Sequence, residues 1–234
     1  MVTSLHSLGV EKRQAPRPTL IPSLEPRVHH YQKTISKVVS CQGIGVHSGN
    51  TVHLTLSPAP VGHGITFIRT DLGGAEVKAS WKTVVDTRFC TTIGEQGVTI
   101  STIEHLMAAL AAHGIDNVYV DIDGPEVPIL DGSAQPFMAL LEEAGLQGQC
   151  AARQVIRILK TITVMEGDRK ASLTPAPYDE LDVDFDFAGR TPLASQNCVF
   201  RPLEEDFAEE ISSARTFGLL EDAEKLWAMG LSKG

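Results

Sequence analysis

Glu104 and His105 stand side by side where the apolar pattern of STIEHLMAALAAHGIDN, Ser101 to Asn117, begins. A carboxylate next to an imidazole can serve as a general base beside a metal ligand, the pairing used in metal-assisted hydrolysis. The same residues have a plain structural reading. Ser101-x-x-Glu104 fits a capping box, in which hydroxyl and carboxylate satisfy unpaired N–H groups at a helix start. His105 fits equally a packed or surface histidine. A catalytic zinc takes about three protein ligands, so a metal reading needs partners. The 8 histidines all lie in the first half of the chain, with none after His113. H-E-x-x-H is absent, and His113 is too far along the helix from His105 to share an ion. His53 alternates with apolar neighbours, as a solvent-facing strand residue does. His47, in the glycine-rich QGIGVHSGN, is placed to approach a ligand. These residues form no convincing set of three.

The elements that must position Glu104 and His105 follow from hydrophobic periodicity. TISKVVSC reads as one strand, TVHLTLSPAP as a half-buried strand, and GITFIRTDLGG and GVTIS as two more. Ile103, Leu106, Met107, Leu110 and Ala111 recur at helical spacing, and Gly114 ends that helix. NVYVDIDGPEVPIL is strand-like, and AQPFMALLEEAG is a second amphipathic helix closed by Gly145. QGQCAA, residues 147–152, reads as a linker. Beyond it, VIRILKTITVMEGDRKASLTPAPYDELDVDFDF reads as three strands joined by tight turns, and a helix is expected from Glu204 to Met229. LTLSPAP recurs as SLTPAP, a faint repeat suggesting two related units of which the second is unfinished.

Composition narrows the class. The chain has 234 residues, 42% hydrophobic and 21% charged, an ordinary globular balance. A formal net charge of −9 argues against nucleic acid or an anionic membrane surface as the main partner. The 4 cysteines, Cys41, Cys90, Cys150 and Cys198, form no C-x-x-C pair, which argues against a disulfide framework and fits a reducing cytoplasm. No apolar run approaches the ~20 residues of a membrane span, so no stable membrane anchor is expected. A monomer is expected. Residues 1–30 read as a disordered N-terminal extension, because their prolines and arginines leave no continuous apolar stretch.

Five stretches belong together: GIGVHSGNTVHLTLSPAP, RTDL, FCTTI, STIEHLMAALAAHGIDNVYVDIDGPEVPILDGSA and ISSARTFGLLEDAEKLWAMGL. In kind and in order they resemble the UDP-3-O-acyl-N-acetylglucosamine deacetylases of lipid A biosynthesis. The resemblance implies an α+β fold of two similar domains, here 31–147 and a truncated 153–234. Each would be a β-sheet layer with two helices, the helices packed between the sheets. It implies a cytoplasmic Zn2+-dependent hydrolase that removes the N-acetyl group of a UDP-linked, acylated glucosamine. By position, His105 matches a zinc ligand, Glu104 the general base, and Thr216 a hydroxyl that holds the oxyanion. Phe89 and Cys90 match residues lining the pocket near the acyl group, and Phe217 stands beside the site. Arg169 stands where the family has a lysine near the diphosphate, and Phe187 matches an aromatic packed on uracil. Each has a plainer reading as well: Thr216 as a helix residue bonded back one turn, Phe187 as core, Arg169 as a solvated turn charge. The family's remaining zinc ligands, a His and an Asp in H-K-x-x-D, and its His acid in S-G-H have no match in these residues. The expectation is therefore an incomplete zinc site and a chain inactive alone. The alternative is a binding module that keeps UDP-sugar or acyl-chain contacts without hydrolysis.

Overall fold

The computed structural model describes residues 31–187, 195–228 and 230–233. The extension expected over 1–30 and the end of the last expected helix at Met229 lie outside the described residues. The fold is α+β. In chain order the strands are β1 (Tyr31–Ile35), β2 (Val39–Ile44), β3 (Thr51–Pro58), β4 (Ile65–Arg69), β5 (Ala75–Lys78), β6 (Val84–Asp86), β7 (Thr92–Glu95) and β8 (Val98–Ile100). Helix α1 (Glu104–His113), β9 (Val118–Ile122), α2 (Gln135–Ala144) and β10 (Leu146–Ala152) follow. The later part holds β11 (Ile162–Glu166), β12 (Arg169–Leu173), β13 (Leu181–Phe185), β14 (Gln196–Phe200), α3 (Phe207–Glu210) and α4 (Leu220–Ala228).

A five-stranded sheet in the order β2-β3-β9-β4-β5 forms the platform. Its pairs are antiparallel except β4 with β9, which run parallel. Alternation on β3 buries Val52, Leu54 and Leu56, and β9 buries Val118, Val120 and Ile122. The helices cover this face and pack against each other. α1 contributes Leu106, Ala109 and Leu110, and α2 contributes Phe137, Met138, Leu141 and Ala144. Each large apolar side chain among them, fully buried, is worth roughly 1.5–3 kcal/mol relative to exposure. α1 stops where Gly114 takes a left-handed conformation, φ 66°, and its N–H returns to the carbonyls of Leu110 and Ala111. A small sheet, β6-β7-β8, leads directly into the start of α1.

Three sequence expectations are corrected. TISKVVSC is two strands, not one, because Ser36 and Lys37 donate to the carbonyls of Gly145 and Ala144 at the end of α2 and leave the ladder. QGQCAA is no linker. It forms most of β10, which pairs antiparallel with β1, and Gln149 bonds both Asn117 and the carbonyl of Ala59. The helix expected over 204–229 is two shorter ones, α3 and α4. α3 ends as Ser212 turns its hydroxyl back onto the Ala208 carbonyl at 2.6 Å, and the next stretch is non-helical. The three strands read after residue 153 are present as β11, β12 and β13. The strands β5, β6, β7 and β14 have no counterpart among the sequence expectations.

Candidate active-site cleft

The capping-box reading of Glu104 fails on geometry. The residue preceding the helix is Ile103, and no side chain caps the first turn. Ser101 instead donates its hydroxyl to the carbonyl of Pro125 at 3.1 Å. Glu104 is the first helical residue, and its Oε2 accepts the backbone N–H of Thr91 at 3.0 Å. The carboxylate is thus free of helix-capping duty and is aimed by a neighbouring segment. A negative charge in this first turn also suits the helix dipole. His105 follows it, half-buried on α1.

The segment that orients Glu104 also builds a cleft. A volume of ≈ 280 Å³ is lined by His47, Arg88, Phe89, Cys90, Thr92 and Ser101, among others. Thr91, the donor to Glu104, lies between the lining residues Cys90 and Thr92. Phe89 holds φ at 68°, a region that bulky residues avoid, at a cost of order 1–3 kcal/mol. This strained turn leaves the Phe89 ring 61% exposed beside the cleft. Its neighbour Arg88 grips Asp86, the guanidinium holding that carboxyl far below the usual carboxylate range. Leu231, from the far end of the described chain, closes one side.

Thr216 is brought toward the first part of the molecule by backbone, not by its hydroxyl. Its N–H donates to the Gly132 carbonyl at 2.8 Å, and Arg215 pairs with Asp131 at 3.6 Å. The hydroxyl and N–H of Ser133, with Arg215 nearby, hold Asp131 below the ordinary carboxylate range. α3 supports this attachment, because Phe207 and Ala208 pack on the main core. Phe217 and Phe187 form an aromatic pair with centroids 5.8 Å apart, and Phe185 meets Phe187 at 4.7 Å. Phe187 is half-buried in that cluster, while Phe217 stays exposed. Arg169 is exposed at the start of β12, opposite Glu166 across a hairpin. The expected site residues therefore fall into three places: Phe89 and Cys90 in the cleft wall, with Glu104 bonded to Thr91 between the lining residues and His105 next to it on α1; Thr216 on the Gly132 turn beside the Phe187–Phe217 pair; and Arg169 on its own hairpin.

Two residues at the cleft carry little signal in the sequence. Ser101 reads there as a cap and is instead a wall. His47 is marked only by its glycine-rich surroundings, and its Nδ1 is buried without a protein partner. His53 is the surface histidine its alternation suggests, paired with Asp123 at 2.8 Å.

A donor set for a metal is a stricter test. Among the described residues no group of three or more His, Cys, Asp or Glu side chains is arranged to hold an ion. Catalytic zinc takes about three protein donors, so the described residues do not by themselves fit a zinc ion at His105.

The family model for LpxC, UDP-3-O-acyl N-acetylglycosamine deacetylase, matches residues 32–234. The chain is 51% identical over 204 residues to the UDP-3-O-acyl-N-acetylglucosamine deacetylase of Myxococcus xanthus, covering 87% of this chain and 65% of that protein. It is 47% identical over 211 residues to the protein of that name from Tolumonas auensis, and 45% over 208 residues to that from Citrifermentans bemidjiense. In both, the match covers 87% of this chain and 67% of the relative. The chain thus spans about two thirds of the length of these curated relatives.

Proposed function

The chain belongs to the UDP-3-O-acyl-N-acetylglucosamine deacetylase family, and on that premise we propose that it carries the general-base part of an amide hydrolysis. The proposed substrate is a UDP-linked, acylated N-acetylglucosamine on the route to lipid A. The observation that supports this reading most strongly is Glu104, free of capping, half-buried and aimed by the Thr91 N–H next to the cleft. Its free carboxylate oxygen takes a proton from a water molecule as that water attacks the N-acetyl carbonyl. The new C–O bond forms, the amide C–N bond breaks, and the same proton passes on to the leaving amine. Acetate and a free glucosamine amine result. The hydroxyl of Thr216 donates to the oxygen that gains negative charge. In this reading Phe89 and Cys90 border the acyl chain, Phe187 packs on the uracil, Phe217 stands beside the site next to Thr216, and Arg169 serves the diphosphate.

Zn2+ is the cofactor proposed for the reaction, with His105 as a ligand, and it would polarise the amide carbonyl and acidify the water. Because the described residues gather no three donors around His105, turnover by these residues alone is not expected. That missing donor set is also what favours the second reading, a module that binds UDP-sugar or acyl chain without hydrolysis. The cytoplasm is the proposed compartment, supported by four free cysteines. Among the described residues no helix is long and apolar enough to cross a membrane. The family's two-layer, two-domain arrangement is proposed likewise; the packing of α1 and α2 over the five-stranded sheet supports its first half.

The test is a fusion of this chain with the part of the Myxococcus xanthus relative beyond the matched stretch. Acetate release from the UDP-sugar and about one bound zinc per chain are expected from the fusion, and well below one zinc with no release from the chain alone. A fusion that binds the UDP-sugar yet releases no acetate would instead establish the binding-only reading. Stoichiometric zinc in the unfused chain would overturn the reading of an incomplete donor set around His105.

A further inference from the structure

Among the described residues Glu126 is the only buried carboxylate, with 1% of its surface exposed. It follows β9 in the segment GPEV and bridges to Ser101 outside any strand ladder. Its two oxygens collect three donors from two distant stretches. Oε1 accepts the N–H of His47 at 2.9 Å and the hydroxyl of Thr102 at 3.1 Å, and Oε2 accepts the N–H of Ser48 at 2.9 Å. His47 and Ser48 belong to the glycine-rich turn, whereas Thr102 stands two residues before Glu104. Main-chain bonds reinforce the junction: Ser101 N–H to the Pro125 carbonyl at 2.9 Å, and Val127 N–H to the Ser101 carbonyl at 3.0 Å.

Two local features show how closely the chain is drawn around this carboxylate. A Cβ at Gly45 would come within 2.3 Å of Oε2, so no larger residue fits without moving the acid. Thr102 holds φ at 58°, a conformation that β-branched residues avoid, while its hydroxyl reaches Oε1. An ionised carboxylate is acceptor-only and can take all three donors. A glutamine in its place presents an amide nitrogen, which accepts none, and leaves at least one buried donor unpaired.

We propose that Glu126 is a positioning residue for the cleft. It ties the turn carrying His47 to the start of α1, and so fixes the His47 imidazole relative to Glu104 and His105. The tie matters because His47 lines the cleft and its Nδ1 has no protein partner. The ring is therefore placed by its backbone, and the backbone is placed by Glu126. Naming Glu104 as a base rests on the deacetylase reading; the tie between the two walls does not.

The test combines amide hydrogen exchange with imidazole 15N NMR on this chain. In Glu126→Gln the amide of His47 or of Ser48, whichever faces the new amide nitrogen, is expected to exchange about 10-fold faster or more, the scale of one buried hydrogen bond lost. The amides of the β3–β9 ladder should keep their rates, and the ring resonances of His47 should move while those of His53 stay. Should Glu126→Gln fail to fold, Thr102→Val removes one donor and is expected to move the His47 resonances, whereas Thr102→Ser, which keeps the hydroxyl, is not. Unchanged His47 and Ser48 amides in a folded Glu126→Gln would overturn the proposal. So would a uniform acceleration in which His47 and His53 respond alike, the behaviour of a residue that merely stabilises the fold. If either amide responds while the fusion releases no acetate, the tie stands and the deacetylase reading falls. If the fusion releases acetate while these amides stay unchanged, the tie falls and the deacetylase reading stands.

Discussion

Residues 31–152 and residues 153–233 share one chain and a similar apolar content along their strands, yet they use it differently. In the first part β3, β9, α1 and α2 place their apolar faces against one another, and Leu54, Leu56, Phe67, Leu106, Leu110 and Phe137 are fully buried. In the second part every residue of β11, β12 and β13 is exposed, Val164 at 65% and Phe185 at 53% among them. Phe200 and Ser212 are its buried residues among those described. Alternation creates a strand; a second layer is needed to turn that strand into a core. The later part is held to the earlier one by a few attachments: Arg153 to Asp116 at 2.6 Å, Thr216 N–H to Gly132, Arg215 to Asp131, and the docking of Phe207 and Ala208.

The sharpest way to break this contrast is hydrogen exchange. Amides of the β3–β9 ladder should approach the protection of global unfolding, while those of the β11–β12 and β13–β14 hairpins exchange faster by about two orders of magnitude or more. Equal protection in the two regions would contradict it. Truncation in urea gives the next largest effect. Leu110→Ala or Phe137→Ala should lose ~3–5 kcal/mol of unfolding free energy, against a change within about 0.5 kcal/mol for Val164→Ala.

A smaller effect is the pH dependence of the Thr216 attachment. Asp131 has its folded pKa held down, first by Ser133 and then by Arg215, so its contribution is fully present above the unfolded value of about 3.9. It is lost as pH falls through the lower folded value. Acid titration followed at the Phe217 ring should therefore show release below about pH 4, and Asp131→Asn should abolish that step. A step unchanged in Asp131→Asn would assign the release elsewhere. The smallest effect is at the thiols. Exposed Cys150 and Cys198 should react with a maleimide before Cys41, whose thiol burial pushes up. Cys41 reacting first would contradict its burial in the first part.

Legibility in the sequence varies residue by residue. α1 and α2 are clear there because helical periodicity and Gly114 and Gly145 act locally. The break at Ser36 is hidden because apolar residues run on through Val38 and Val39 and the bonds that stop the strand come from the far end of α2. β10 reads as a linker because LQGQCAA lacks alternation; its pairing is set by β1. Glu104 stands out, but its freedom from capping depends on Ser101 turning to Pro125 and on Thr91 arriving from another segment. Glu126 gives no signal at all: it falls in NVYVDIDGPEVPIL, which reads as strand-like, whereas the strand ends at Ile122 and the acid's donors come from two other stretches. The Thr216 region is identified by resemblance, and the single helix expected through it is interrupted there.

In the proposed reaction the Glu104 carboxylate works on a proton, and its geometry leaves it free of the helix end. Glu104→Gln in the fusion protein tests this most directly, with acetate release and unfolding free energy measured on the same sample. The expected result is a loss of kcat of about 10²-fold or more with the unfolding free energy nearly unchanged. A destabilised protein whose folded fraction still turns over at the original rate would contradict it.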